Sequence, residues 1–265
     1  MLVGHVLSAW RYRGFIFSAI RSEMKGRFAS SKIGGLWFVL HPLAMAAIYA
    51  LVLSRLVGAR LGGVDNPAAF PIYLISGLAI WSLFSEIVNR CLSIFLEYAN
   101  AMKKISFPRV ALPFIVLGGA LINHGFLLGA AIVVFAFLGH FPAPAWLALP
   151  LALVVGAGFA FGLGVFLGVL NVFARDVGQA MSVVMQLWFW MTPIIYPLDI
   201  LPEGIRAVIE LNPMTSVVEF YHEALVYQQW PDITMLAYPA SLGLALIALS
   251  VVTFRRASPE IVDVL

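Results

Sequence analysis

The run VALPFIVLGGALINHGFLLGAAIVVFAFL, Val110–Leu138, contains no Asp, Glu, Lys or Arg. About 20 consecutive apolar residues in a helix are enough to cross the roughly 30 Å hydrocarbon layer of a bilayer. Gly34–Leu53, Phe70–Asn89, Trp146–Phe173, Val177–Tyr196 and Met235–Phe254 are apolar too, with Glu86 their one charged residue, so the sequence predicts six membrane-spanning helices. Charged residues make up 11% of the chain. Soluble domains carry about 25%, so this chain lacks the charge to cover a water-facing surface. The expectation is an all-α integral membrane protein. An even number of spans puts both termini on one side.

The basic residues choose that side. Arg11, Arg13, Arg21, Lys25, Arg27 and Lys32 precede the first span, and Lys103, Lys104 and Arg109 lie between the second and third. Arg175 lies between the fourth and fifth, and Arg255 and Arg256 follow the sixth. The opposite connections hold Arg55, Arg60 and Arg206. Positively charged loops stay in the cytoplasm, which places both termini there. The opening MLVGHVLSAWRYRGFIF does not read as a secretory signal, because its basic residues follow the apolar stretch instead of preceding it. Cys91 is the single cysteine, so neither an intrachain disulfide nor a cysteine metal cluster is expected.

Three connections carry more than topology. HVLSAWRYRGFIFSAIRSEMKGRF, from His5 to Phe28, has Val6, Leu7, Trp10, Phe17, Ile20, Met24 and Phe28 at helical spacing with basic residues between them. It reads as an amphipathic helix on the cytoplasmic leaflet, or as a helix packed on the protein. FLEYANAMKKISFPRVALP, between the second and third spans, has a two-turn helix from Glu97 ending before Pro108. Tyr98, Met102 and Phe107 sit there among Glu97, Lys103 and Lys104. The segment suits a groove on a partner, or its lysines serve only to fix topology. MTPIIYPLDILPEGIRAVIELNPMTSVVEFYHEAL, Met191–Leu225, is cut by Pro193, Pro197, Pro202 and Pro213 and is rich in acids. It predicts two short amphipathic helices dipping into the outer leaflet, the second capped by Thr215 or Ser216.

No motif for chemistry appears. The chain has no G-x-x-x-x-G-K-[ST] phosphate loop, no H-E-x-x-H zinc helix and no G-x-S-x-G elbow. Its five histidines are scattered. Glu86 and Arg90 read as an i,i+4 pair, and Asn123 with His124 as interhelical hydrogen bonds or a polar lining. The G-x-x-x-G pairs Gly158/Gly162 and Gly164/Gly168 mark close helix packing, within the subunit or across a dimer seam. Trp188, Phe189, Trp190 and Tyr196 cluster near one end of the fifth span. Successive helical positions point in several directions, so some of these rings face protein instead of lipid, where an aromatic face in a pathway would stack on sugar rings.

RFASSKIGGLWFVLHPL, NAMKKISFPRVALP, NVFARDVGQAM, FWMTPIIYPLDILPE and LNPMTSVVEFYHEAL occur in that order. With them the chain resembles the membrane subunit of ABC-2 type exporters, in particular those that move lipid-linked O-antigen, capsule or teichoic acid. The resemblance implies residues 1–33 as a cytoplasmic segment with an interfacial helix, 34–254 as a six-helix transmembrane domain and 255–265 as a cytoplasmic tail. It implies a homodimer in a bacterial inner membrane, joined to two copies of a separate ATPase that holds ATP and Mg; no cofactor is expected on this chain and no nucleic-acid partner. It implies a coupling helix at Glu97–Arg109, with Glu97, Tyr98, Met102, Lys103, Lys104, Phe107 and Arg109 facing the ATPase. Short re-entrant helices at the periplasmic exit follow from it as well, with Ile205, Val208, Ile209, Pro213 and Phe220 assigned to a gate. Arg21, Lys25 and Arg27 are candidates to attract the pyrophosphate of an undecaprenyl-type lipid-linked glycan, and Trp188, Phe189, Trp190 and Tyr196 to line its path. His222 stands where the family often has arginine. The alternatives are an ABC-2 efflux permease for small drugs or lipids, and a membrane enzyme acting on lipid.

Overall fold

In the computed structural model the described residues are 12–29, 40, 43–45, 47–48, 68–104, 109–258 and 260–261. The expected first span, Gly34–Leu53, falls mostly outside them, as do Phe107 and the side chains of Arg27 and Lys104. Among the described residues the chain is helical, with no strand. The helices are α1 (Arg13–Ala29), α2 (Ala69–Glu97), α3 (Ala99–Lys104), α4 (Ala111–Phe137), α5 (Leu149–Phe173), α6 (Asp176–Trp190), α7 (Glu203–Glu210), α8 (Pro213–Leu225) and α9 (Ala237–Ala257). Short 3-10 turns precede α5, α7 and α9 at Pro144–Ala148, Leu198–Ile200 and Ile233–Leu236. Among the described residues four helical units are long and apolar enough to cross a membrane: Ala69–Glu97, Ala111–Phe137, Pro144–Phe173 and Ile233–Ala257.

Proline positions fix where several of these helices begin. Pro71, Pro113, Pro150, Pro213 and Pro239 each fall in the first turn of α2, α4, α5, α8 and α9. The first N–H groups of a helix have no intrahelical acceptor, so a residue without an N–H costs nothing there. Pro193 is placed differently. It lies three residues past the end of α6, and the helix stops at Trp190 instead of running to Tyr196 as the apolar run suggested. The 15 residues of α6 span about 22 Å at the α-helical rise. That is less than the hydrocarbon thickness, and the turn Met191–Tyr196 follows it.

The helices pack around α5, which lies between α2 and α9, while α2 also packs against α4 and α8, and α1 lies on α4. Glycines let α5 approach both neighbours. A Cβ added at Gly164 would meet Cys91 Cβ at 2.8 Å and Val88 Cα at 3.1 Å, and one at Gly168 would overlap the Cys91 carbonyl oxygen. On the other side a Cβ at Gly162 would lie 2.7 Å from the Ile247 nitrogen, and one at Gly243 of α9 would lie 3.2 Å from the Phe159 backbone. Gly162, Gly164 and Gly168 therefore serve packing inside the subunit, whereas at Gly158 the nearest neighbour is the tip of Ile247. The core is built on α2, where Tyr73, Phe84 and Phe95 are fully buried, joined by Phe135, Phe159, Phe220 and Tyr221.

The molecule has a basic end and an acidic end. Lys103, Arg109, Arg175, Arg255 and Arg256 lie at one, with the C-termini of α2, α5 and α9; Asp199, Glu203, Glu210, Glu219, Glu223 and Asp232 lie on or beside α7 and α8 at the other. Gly168→Ala is expected to lower the stability of the purified protein by about 1–3 kcal/mol, since backbone must move to admit the methyl group. Gly158→Ala, whose nearest neighbour is 4.0 Å away, is expected to leave the thermal midpoint in detergent unchanged or slightly raised.

Candidate functional site

At the basic end, α2 closes with Glu97, and Tyr98 leads into α3. Glu97, Tyr98 and Lys103 are exposed. Met102 is not: at 8% exposure it packs into the core. The expectation that it belongs to an outward docking face is corrected, because α3 is a single amphipathic turn and a half that needs one apolar anchor on its inner side. Arg109 is half-buried and donates to the backbone carbonyl of Ser258, which ties the start of α4 to the end of α9. Phe95 of α2 packs against Phe254 of α9, ring centroids 5.7 Å apart.

α1 docks on the bundle through one side. Ile16, Ala19 and Ile20 pack toward the core, with Ile20 against Gly118 of α4. Glu23 forms an ion pair with Arg90 of α2, which also lies 3.4 Å from Glu86. Asn123 of α4 donates to the same Glu86 carboxylate at 2.7 Å. One guanidinium thus joins α1 to the bundle, and the Glu86–Arg90 pairing and the Asn123 hydrogen bond read from the sequence are both present. Glu23 was not legible as a partner, because nothing in local spacing marks a contact across 67 positions. The opposite side of α1 carries Arg13, Phe17, Arg21 and Lys25 in an i,i+4 row, all exposed. Packing on the protein and an exposed amphipathic face therefore coexist in this helix.

At the acidic end the turn after α6 is held by side chains. The Tyr73 hydroxyl lies 3.0 Å from both the Pro193 and the Tyr196 carbonyl oxygens. Its ring stacks on His222 of α8 at 3.6 Å. His222 is fully buried, with Nε2 3.2 Å from the Tyr73 carbonyl oxygen and Nδ1 3.3 Å from Glu219. His124 of α4 lies 3.1 Å from the Ala79 carbonyl oxygen and 3.1 Å from the Tyr221 hydroxyl, so it serves interhelical hydrogen bonding. Asn212 is the hub. Its Oδ1 accepts from Met214 N at 3.0 Å and from Trp188 Nε1 at 2.7 Å, and its Nδ2 donates to Thr192 Oγ1 at 2.9 Å. Asn212 with Pro213 at the first position is the α8 cap, in place of Thr215 or Ser216. The Thr215 hydroxyl donates instead to Ile209 O at 2.7 Å.

These contacts sort the expected aromatic group. Trp188 turns inward, edge-on to Phe84 at 5.1 Å and to Phe159 at 6.1 Å. Phe189 sits edge-on to Trp81 at 5.7 Å. Tyr196 is half-buried and donates to the Trp190 carbonyl oxygen at 2.8 Å. Trp190 alone of the four is exposed, at 54%. The expected gate group divides too. Ile205 and Val208 of α7 are exposed, whereas Ile209 and Phe220 are buried and Pro213 is half-buried. Phe220 belongs to the core, because α8 is packed into the bundle against α2 and α5 and does not lie on the surface as an amphipathic dip. Burial and the neighbouring Glu219 raise the Glu223 carboxyl above its ordinary range, whereas hydrogen bonds from Thr234 hold Asp232 below it.

Residues 15–226 match the family described as ABC-2 type transporter. The chain belongs to that family. The matched stretch of this ABC-2 chain opens inside α1 and closes just after α8, so α9 follows it. Among curated relatives, an O-antigen export system permease protein RfbA of Myxococcus xanthus is 29% identical over 255 residues, covering 96% of this chain and 93% of the relative. A protein of the same description from Klebsiella pneumoniae is 30% identical over 213 residues, 77% of this chain and 79% of the relative. The polysialic acid transport protein KpsM of Escherichia coli is 22% identical over 240 residues, 88% and 89%.

Asn212→Ala removes a helix cap and the Trp188 partner together. It is expected to cost about 1–3 kcal/mol, read as a lowered thermal midpoint of the purified permease. Trp190→Ala is expected to leave that midpoint in place, because the ring is exposed.

Proposed function

We propose that this ABC-2 chain is the permease subunit of an exporter for lipid-linked polysaccharide, O-antigen foremost, then capsule or teichoic acid. The observation that carries this reading is the similarity to an O-antigen export permease across 96% of the chain. A relationship of that extent takes in the connections at both ends of the bundle, not the spans alone. In this reading the chain crosses a bacterial inner membrane six times, with Gly34–Leu53 and the short α6 added to the four long helical units. The basic end faces the cytoplasm, in keeping with the distribution of lysine and arginine. Two copies enclose a pathway, and two copies of a separate ABC ATPase hold the ATP and Mg.

The exposed Glu97, Tyr98 and Lys103 form the surface offered to that ATPase; Lys104 and Phe107, assigned to it from the sequence, follow in the chain. Met102 supports it from behind. Arg109 links the same surface to the end of α9, so a push on α3 is felt by two spans. The substrate enters as an undecaprenyl-type lipid carrying its glycan on pyrophosphate, and Arg21, Lys25 and Arg27 supply positive charge where that group travels. α7, with Ile205 and Val208 exposed, stands at the exit.

Co-purification tests the reading. The chain is expected to carry an ABC ATPase with it, and hydrolysis by the complex in proteoliposomes is expected to rise on adding lipid-linked glycan and not on adding apolar drugs. Stimulation by drugs alone would replace the reading with small-molecule efflux. Tyr98→Ala combined with Lys103→Glu is expected to release the ATPase while the permease keeps its thermal midpoint.

A further inference from the structure

The free surface of α6 is divided lengthwise. Met181, Met185, Trp188 and Phe189 point toward the bundle. The exposed remainder has two flanks about 100° apart at 3.6 residues per turn. One carries Ala180, Val183, Val184 and Leu187; the other carries Gln179, Ser182 and Gln186, and ends at Trp190. All eight are exposed. Among the described residues the carboxamides of Gln179 and Gln186 have no hydrogen-bond partner, and Ser182 satisfies only its donor, on the Gln179 carbonyl oxygen at 2.7 Å.

Two carboxamides and a hydroxyl set along one line of a membrane-depth helix cannot face hydrocarbon without losing their hydrogen bonds to water. The flank carries no charge between Asp176 and Trp190. A ligand attracted by charge, such as an ion or a free phosphate, gains nothing from it. What it offers is a row of neutral donors and acceptors, closed at the acidic end by an aromatic face. That is the chemistry of a neutral, hydroxyl-bearing chain: carboxamides exchange hydrogen bonds with hydroxyls in either direction, and an indole covers the C–H face of a sugar ring. From Gln179 to Trp190 the line runs about 16 Å along the axis, longer than a single small polar solute needs. The core positions of Trp188 and Phe189 leave Trp190 as the ring available on this line.

We propose that Gln179, Ser182, Gln186 and Trp190 form a polar track on α6 along which the uncharged part of the glycan slides. The adjoining flank of Ala180, Val184 and Leu187 faces lipid or protein. The proposal rests on the reading of the chain as a glycan exporter and assigns within it the residues that touch sugar.

Single cysteines test it, since the native Cys91 is buried. In the complete transporter, Gln179→Cys, Ser182→Cys and Gln186→Cys are expected to react with a hydrophilic, membrane-impermeant thiol reagent, and Ala180→Cys, Val184→Cys and Leu187→Cys are not. Added lipid-linked glycan is expected to slow the first three. Gln179→Leu with Gln186→Leu is expected to reduce export of the glycan about tenfold, the scale of one or two lost hydrogen bonds; ATPase co-purification is expected to be unchanged and Gln186→Asn to recover much of the loss. Equal labelling of both flanks, or full export by the double leucine variant, overturns the track. So does unreactive cysteine on the polar flank that crosslinks between subunits, because the line is then a dimer seam. Should the wild-type protein itself export no glycan, it is the exporter reading that fails, and the labelling pattern still reports whether the flank faces water.

Discussion

The close approach of α5 to α2 and α9 is the contact on which the other elements depend. Glycines at 164 and 168 set α5 against the backbone of Val88 and Cys91, and Gly162 sets its other side against Leu246 and Ile247. Inside a membrane there is little hydrophobic gain in bringing helices together, so van der Waals contact between surfaces of matching shape has to hold them. Backbone-to-backbone contact supplies that at two faces of one helix. It also settles the level at which α2 and α9 lie beside each other, and so the meeting of Phe95 with Phe254 and of Arg109 with Ser258 at the basic end.

Polar side chains then finish what packing begins. Each lies where a backbone group would otherwise be stranded. Tyr73 serves the carbonyls of Pro193 and Tyr196 beyond the end of α6. Asn212 serves the start of α8 and the carbonyl of Met191. Asn171 donates to Leu92 O at 2.9 Å and accepts from Gly178 N at 2.8 Å, which fastens the turn between α5 and α6 to α2. Irregular backbone survives at membrane depth only under such cover. The proline-cut stretch after α6 is therefore a folded part of the bundle and not a loop laid on it.

Much of this was legible. Helical class, the four long helical units and the Glu86–Arg90 pair follow from apolar run length and i,i+4 spacing, and the glycine pairs announced close packing. Side-chain direction at the ends was less legible. Met102 and Phe220 look like surface anchors because each sits in a short helix among charged residues, yet both are swallowed by the core. Periodicity marks which positions share a face, but not which face meets the bundle when the helix is shorter than about four turns. Trp188 and Trp190 are indistinguishable by composition, and only the partners Asn212, Phe84 and Phe159 separate them. Glu23 and Arg90 meet across a sequence distance that no local rule reaches.

The two asparagines have a mechanical consequence. Asn171 grips α6 near its first turn, and Asn212 grips it through Trp188 near its last. A rod pinned at both tips resists sliding along its own length, because any axial slip strains both pins in the same instant. Twisting strains the second pin as well: a roll through one residue step, about 100°, would carry Trp188 off Asn212 and away from Phe84 and Phe159. The pins thus fix both the height of α6 and its rotation, and so which line of side chains it turns away from the bundle.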